Sequence, residues 1–327
     1  MEETFASQAD ARTRTVEGPS EHGQRQTGAG VQTGRFTRRL LLGLAFVSAI
    51  AAAASGPLIV DPLLERIPEG WSWEANYVGP SAPPDAATGK FPDEPPILQY
   101  RRELRIEGPG PTAGTVRMID DFAIQDPLTG KPDWRYTVHP VVERATGLHA
   151  DPAYRDQYFV FPRNVEQKTY NIRWNYVEGL PMRFVKQDRI EDVPVYLFEY
   201  VGRGEYTESY AGTRDYVGVK VAPGQEIKCA DDQFYLRMWV EPLSGQILKV
   251  DEGCEAGDYI FDIATGRRLA PVLLWSGKME GSDVLARADG VRVLRLWIMA
   301  ANHLQIGLAL LAVIFAIAGL AYGRTRS

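Results

Sequence analysis

Two cysteines, four histidines and several neighbouring carboxylates are the residues of this chain whose chemistry could go beyond packing. The cysteines, Cys229 and Cys254, flank a strand–turn–strand stretch, "FYLRMWVEPLSGQILKV" from Phe234 to Val250. With the turn centred near Ser244, Cys254 falls opposite about Gln233. The turn-forming "CADD" segment would then have to bend back to bring Cys229 within reach. A Cys229–Cys254 disulfide is therefore expected if the compartment is oxidising. The competing role, a reactive thiol, has no histidine nearby in sequence. His22, His139, His149 and His303 make no metal-ligand spacing with Cys or carboxylates, so no metal site is expected. Asp120–Asp121, Glu191–Asp192 and Asp231–Asp232 could in principle supply acid/base pairs. Neighbours on a strand face opposite ways, however, and the others sit at turns, where Asp is favoured anyway. Nucleotide-binding and nucleophile-elbow glycine patterns do not occur. No enzyme activity and no cofactor are expected.

Aromatic residues offer the other kind of chemistry, contact with an apolar ligand. In the stretch from Phe234, alternation puts Phe234, Leu236, Met238 and Val240 on one face and Tyr235, Arg237, Trp239 and Glu241 on the other. "VYLFEYV" divides into Val195, Leu197 and Val201 against Tyr196, Phe198 and Tyr200, and "YNIRWNY" adds Tyr170, Ile172, Trp174 and Tyr176. A sheet apolar on both faces needs a cover on both. A second sheet, a closed barrel or lipid would each serve. Trp174, Tyr196, Phe198 and Trp239 are the candidate ligand-binding residues if one covered face encloses a cavity.

The elements that carry these residues read as β. From Ile97 onward, short runs rich in β-branched and aromatic residues alternate with turn residues. They give roughly eleven strands, among them "TRDYVGVKVA" and "QYFVFP". The fold class expected is mostly β, one large antiparallel sheet or barrel-like domain over 61–281. The proline-rich segment after Val60 should be extended and excluded from the sheet interior. It carries Trp71 and Trp73, either at a membrane surface or packed on the domain. "PLTGK" at Pro127, "RATGL" at Arg144, "PLSGQ" at Pro242 and "IATGR" at Ile263 read as reverse turns, unevenly spaced and so not a repeat. A helix over 282–303, with Leu285, Val291, Leu294, Trp297 and Ile298 as its apolar positions, should run directly into the last segment.

Both ends are greasier than any core element. Leu40–Val60 has no charge and follows Arg35, Arg38 and Arg39; Leu304–Tyr322 precedes Arg324 and Arg326. Each is long enough to cross a bilayer. Arginine on both outer flanks puts both termini in the cytoplasm and the β domain outside it. The expected order is a disordered cytoplasmic tail (1–36), a transmembrane helix (37–60), the β domain, the juxtamembrane helix, a second transmembrane helix (304–322) and a short cytoplasmic tail (323–327). "TRRLLLGLAF" followed by "AAAASG" also reads as a cleavable export signal, and that alternative stays open. Net charge is −6, with no dense basic patch away from the segment ends. That argues against a nucleic-acid partner and leaves membrane lipids as the expected one.

The order of these elements, with "QYFVFPRNVEQKTYNIRWN" and "LRMWVEPLSGQILK", resembles the bacterial porin PorA family. The resemblance runs from Leu40 to the end and implies two spans around an extracytoplasmic β-rich domain. The long N-terminal tail and the cysteine pair depart from it. A porin barrel needs strands facing lipid and water rather than two apolar helices, so the pore label does not follow. The two-span plan with "IEDVPVYLFEY" and "VEPLSGQILK" is also similar to class B scavenger receptors, whose resemblance implies a lipid tunnel. Binding of a lipid or other apolar envelope molecule is thus the expected function. A structural or interaction role, and pore formation, are the other readings.

Overall fold

The computed structural model describes residues 28–55, 67, 70–85, 87–125, 132–174, 177–205, 222 and 224–324. The expected tail before residue 28, the end of the first apolar segment (56–60), the "PLTGK" turn, Tyr176, the "TRDYVGVKVA" strand except Ala222 and the last three residues lie outside them. Contacts divide the chain into two compact units. One holds the β structure up to Ile306; the other joins the N-terminal helix, up to Ala52, to the chain from Gly307 onward.

In the first unit, eleven antiparallel strands form one sheet. They are β1 (Ser72–Ala82), β2 (Ile97–Pro109), β3 (Thr115–Gln125), β4 (Pro132–Val138), β5 (Val141–Glu143), β6 (Tyr170–Trp174), β7 (Val177–Ile190), β8 (Val193–Glu205), β9 (Ile227–Val240), β10 (Ile247–Asp262) and β11 (Arg268–Met279). The order is β4-β3-β2-β1-β11-β10-β9-β8-β7-β6, with β5 also on β3. Three isolated bridges, Val142 to His149, Leu148 to Tyr158 and Tyr158 to Ile172, then lead from β5 to β6. The two ends of the sheet are thereby linked, and the result is barrel-like.

The segment expected to stay out of the sheet is β1, an interior strand between β2 and β11. Pro80 is tolerated because pairing with β11 lapses between Val78 and Ser81. Beside it, a Cβ on Gly79 would stand 1.9 Å from the Ser276 carbonyl oxygen, so only glycine lets the two backbones approach. Strand β11, which contains Pro271, is a strand beyond those expected. "GQILKVDE" and "GDYIFDIA", expected as two strands, are one, β10, with register shifts between Cys254 and Asp258. "QYFVFP" contributes bridges rather than a strand.

Inside this circuit lies one contiguous core that includes Trp73, Tyr77, Trp174, Phe198, Phe234, Leu236, Met238 and Val240. Of the two sites open to Trp73, packing on the domain is the one observed: it is buried edge-on to Trp174, with ring centroids 6.1 Å apart. The inward set of the stretch from Phe234 is as alternation requires. On the opposite face, Val193, Val195 and Leu248 pack against Ala288 and Val291, with Trp239 half-buried alongside. The cover there is a helix of the same chain, α2 (Gly281–Arg324), which is unbroken for 44 residues. Its buried stripe is Val284, Ala288, Val291, Ile298 and Ala301, spaced as a helix face should be. Leu285 and Trp297, expected on that stripe, are exposed.

Among the described residues, hydrogen bonds and two ion pairs hold α2 to the sheet. Asp283 accepts from the backbone and side chain of Asn76 at 2.7 and 3.0 Å, as an acid should at a helix start. Arg292 pairs with Asp192, and Arg295 reaches the buried Glu241 at 2.7 Å. Glu241 also organises the "PLSGQ" turn by accepting from the N–H groups of Leu243 and Ser244 at 3.1 and 2.6 Å. Its carbonyl receives the N–H of Gly245, whose φ is +67°. The same acid-x-x-hydroxyl-Gly construction closes Asp85–Gly89, Glu143–Gly147 and Asp262–Gly266. The acid three residues before the hydroxyl belongs to the motif, which is wider than the Ser/Thr–Gly pair visible at first.

In the second unit, α1 (Gly28–Ser55) and the end of α2 meet at a small residue: a Cβ on Gly319 would stand 3.0 Å from the Leu42 side chain. Arg35–Ser55 and Gly281–Tyr322 are both long and apolar enough to cross a membrane, and only 6% of each most apolar window is buried.

Candidate functional site

Alternation along β2 and β3 faces an arginine and an aspartate into the core. Tyr100, Arg102 and Leu104 share one phase; Met118, Asp120 and Phe122 share another, and all six are buried. Arg102 donates from Nε to Asp120 Oδ1 at 2.9 Å and from Nη2 to Oδ2 at 2.6 Å, a bidentate pair with almost no solvent contact. The guanidinium lies 3.4 Å above the ring of Trp174. Trp174 in turn donates its indole N–H to Glu252 Oε2 at 2.6 Å. Burial pushes the Glu252 carboxyl up to about 7, against the pull of Arg102 and of the indole hydrogen bond and with the charges of Asp120 and Asp231 adding to the rise. Burial likewise drives the Tyr77 hydroxyl far above its ordinary range. Removing ions from water costs several kcal/mol each, so a chain of charges in a core calls for a reason beyond stability.

Next to it lies a second acidic group. Trp275 donates its N–H to Asp231 at 3.3 Å and to Asp258 at 3.1 Å, and the ligand atoms of Asp231, Cys254 and Asp258 all lie within 4.8 Å of one another. These three could hold a thiophilic divalent ion. Metal binding needs a thiolate, whereas burial pushes the Cys254 thiol upward and its Sγ–H faces the carbonyl oxygens of Asp232 and Gly257 at 2.5 and 3.1 Å. We assign no ion to it.

The expected disulfide is not formed: both cysteines are free and buried. "CADD" does not bend back but continues β9. Cys254 pairs with Phe234 and Cys229 with Ile260, five positions away along β9, roughly 16 Å at the usual strand rise. A disulfide needs Cα atoms within about 7 Å. Protein purified without reductant, unfolded and then alkylated, should carry the label on both cysteines, and native protein should react slowly because burial raises both thiols. A peptide map linking Cys229 to Cys254 would contradict this register.

A cavity of about 560 Å³ opens where the sheet is joined up by bridges rather than strands. Asp120 forms part of its wall, so the buried charge chain reaches it. Arg173 on β6 contributes a guanidinium that stacks 3.6 Å over the ring of Tyr154. His149 is 4% exposed, and its Nε2 makes no hydrogen bond among the described residues. Burial, then the charge of Arg173, lowers its imidazole to about 4, so the ring is neutral at pH 7. Phe159, Val138, Pro140 and Val141 supply apolar wall. A smaller cavity of about 360 Å³ lies by Arg203, Asp232 and Arg237.

The four aromatic candidates do not gather at either cavity. Trp174 and Phe198 are fully buried in the core, with Tyr196 half-buried against it and edge-on to Phe184. Trp239 sits on the opposite face, paired across the strands with Leu197 and covered by Lys249 at 4.2 Å. The alternation that grouped it with Tyr196 and Phe198 fails because Tyr196 is opposite Val240 and Phe198 opposite Met238. Of the carboxylate neighbours, Asp120 faces inward, while Asp121 faces outward to Arg135 at 2.7 Å. Asp231 is buried and Asp232 pairs with Arg268; Asp192 holds Arg292. His139 pairs with Glu107 at 3.2 Å and His303 lies against the Met299 carbonyl oxygen; His22 is outside the described residues. Sequence reasoning missed Arg102, Glu252 and Arg173. Arg102 left a signal, a charge standing in phase with Tyr100 and Leu104.

No family model matches the chain, and no curated protein matches it.

Proposed function

We propose that this is a two-pass protein of the cytoplasmic membrane, both termini cytoplasmic, whose β-rich unit lies outside and works as a binding module for a small molecule of the cell envelope. The porin PorA resemblance is part of this reading in its two-span plan and not in its pore. Arginines flank the outer ends of two apolar helices whose side chains are left exposed, Phe36 at 69% and Ile317 at 62%. Binding rather than catalysis is favoured because Arg102 and Asp120 pair with each other and burial keeps the Cys254 thiol beside Asp231 and Asp258 protonated. The observation that carries the reading is the cavity at the bridged seam, with a stacked guanidinium in its walls and a buried imidazole whose Nε2 has no hydrogen-bond partner among the described residues. An apolar ligand held among Trp174, Tyr196, Phe198 and Trp239 has less support, since these split across the sheet. An interaction role without ligand is the second reading, favoured by the filled core around Phe198.

Native mass spectrometry of the full-length protein in detergent tests the binding role: a small molecule or lipid should co-purify in a fixed ratio, and its consistent lack would favour the second reading. Topology has its own check. Single cysteines introduced at Ser7, Thr146 and Ser327 are expected to react with an impermeant thiol reagent in intact cells only at Thr146→Cys. Equal protection of all three would sink the two-pass arrangement.

A further inference from the structure

Arg173 is the one cation in the cavity wall that no carboxylate of the described residues neutralises. Asp120 has both oxygens engaged by Arg102. His139 is tied to Glu107, and Asp151 at the rim accepts from the N–H of Ala153 at 2.9 Å. Stacking on Tyr154 fixes the plane of the Arg173 guanidinium and leaves its N–H edges without a hydrogen-bond partner among the described residues. A planar fork held by its face is suited to an acceptor that approaches in its plane with two oxygens. His149 supplies a second, neutral polar atom in the same wall, buried and unsatisfied, which costs stability unless a partner arrives. An apolar part of the wall is formed by the buried Phe159 with Val138, Pro140 and Val141.

Resting on the reading of this cavity as the binding site, we propose that its ligand is a small amphiphilic carboxylic acid, bound as the monoanion with its carboxylate on Arg173, a hydrogen bond to His149 Nε2 and its apolar part against Phe159. A volume of about 560 Å³ fits a small molecule rather than a lipid with two long chains. One free guanidinium matches one negative charge. The carboxylates of Asp120 and Asp151 in the same wall disfavour a dianion such as a phosphate monoester.

Benzoate, its neutral isostere benzamide, and phenyl phosphate serve as probes for saturation-transfer NMR on the full-length protein in deuterated detergent. Benzoate should bind at least about tenfold tighter than benzamide, the scale of a charge-assisted pair. Arg173→Gln should remove that difference, benzoate losing more than benzamide, at an unchanged melting temperature. The wild-type comparison decides the matter even where the variant does not fold. Equal binding of benzoate and benzamide, or tighter binding of phenyl phosphate, would overturn the carboxylate assignment while leaving a ligand cavity. Binding of none of the three would overturn both the assignment and the cavity's role.

Discussion

Asp120→Leu is expected to lower the stability of the protein by about 3 kcal/mol, the lower end of what removing one partner of a buried ion pair costs. The change strands the Arg102 guanidinium, which is wholly inaccessible and cannot give up its proton. Glu252 softens the loss. It already sits in the field of Arg102, and without Asp120 it would ionise and become the counterion. Arg102→Met should cost less, because the lone Asp120 side chain borders the cavity, whereas a lone Arg102 is sealed in the core. The double variant Arg102→Met/Asp120→Leu should recover most of the loss, since well-packed apolar replacements of buried ion pairs are often neutral. Denaturation of the four proteins in the same detergent gives the cycle. Additive losses in the double variant would mean that the two residues do not act as a pair.

How much of this site could be read from the chain follows from what alternation encodes. Period two tells which residues share a face, so the inward set Phe234, Leu236, Met238 and Val240 was legible. It does not survive a bulge. Between Ile247 and Lys249 the register shifts, and the phase that buries Val250, Glu252 and Cys254 is visible only once the shift is known. The count from the turn places Cys254 within one residue of its partner Phe234; what keeps Cys229 away is that "CADD" continues β9 rather than bending back. Strand β1 was hidden for another reason. Its proline forbids ladder pairing only on one side and only at one point, and Gly79 next to it removes the steric conflict. Arg173 had no signal at all: an arginine in a short strand reads as solvent-facing, and its setting over Tyr154 comes from a loop twenty residues earlier in the chain.

Glu252→Gln is expected to stabilise the protein above neutral pH and to do almost nothing at pH 4. In the folded chain the carboxyl titrates at about 7, against an ordinary value of 4.5, because burial penalises its charge. Between those values the folded state holds a proton that the unfolded state has released. Stability attributable to Glu252 is therefore complete below 4.5, falls by about 1.4 kcal/mol per pH unit and is lost once pH passes 7, a total on the order of 3 kcal/mol. His149 works the other way. Its imidazole titrates at about 4 when folded against 6.5 ordinarily, so its contribution is present above 6.5 and lost as pH falls toward 4. From 4.5 to 6.5 the two slopes oppose each other, and the wild-type curve should be shallow there. The carboxylates held below their ordinary range, Asp121 among them, change stability only at still lower pH. Subtracting the variant from the wild type removes the histidine and isolates the glutamate, since Gln copies the shape of the protonated acid and can accept the same Trp174 N–H. The difference in denaturation free energy should be near zero at pH 4, open between 4.5 and 7, and reach its full size by pH 8, with Gln the more stable. A difference independent of pH would show that Glu252 keeps its charge in the core, and the buried chain would then have to be paired in another way.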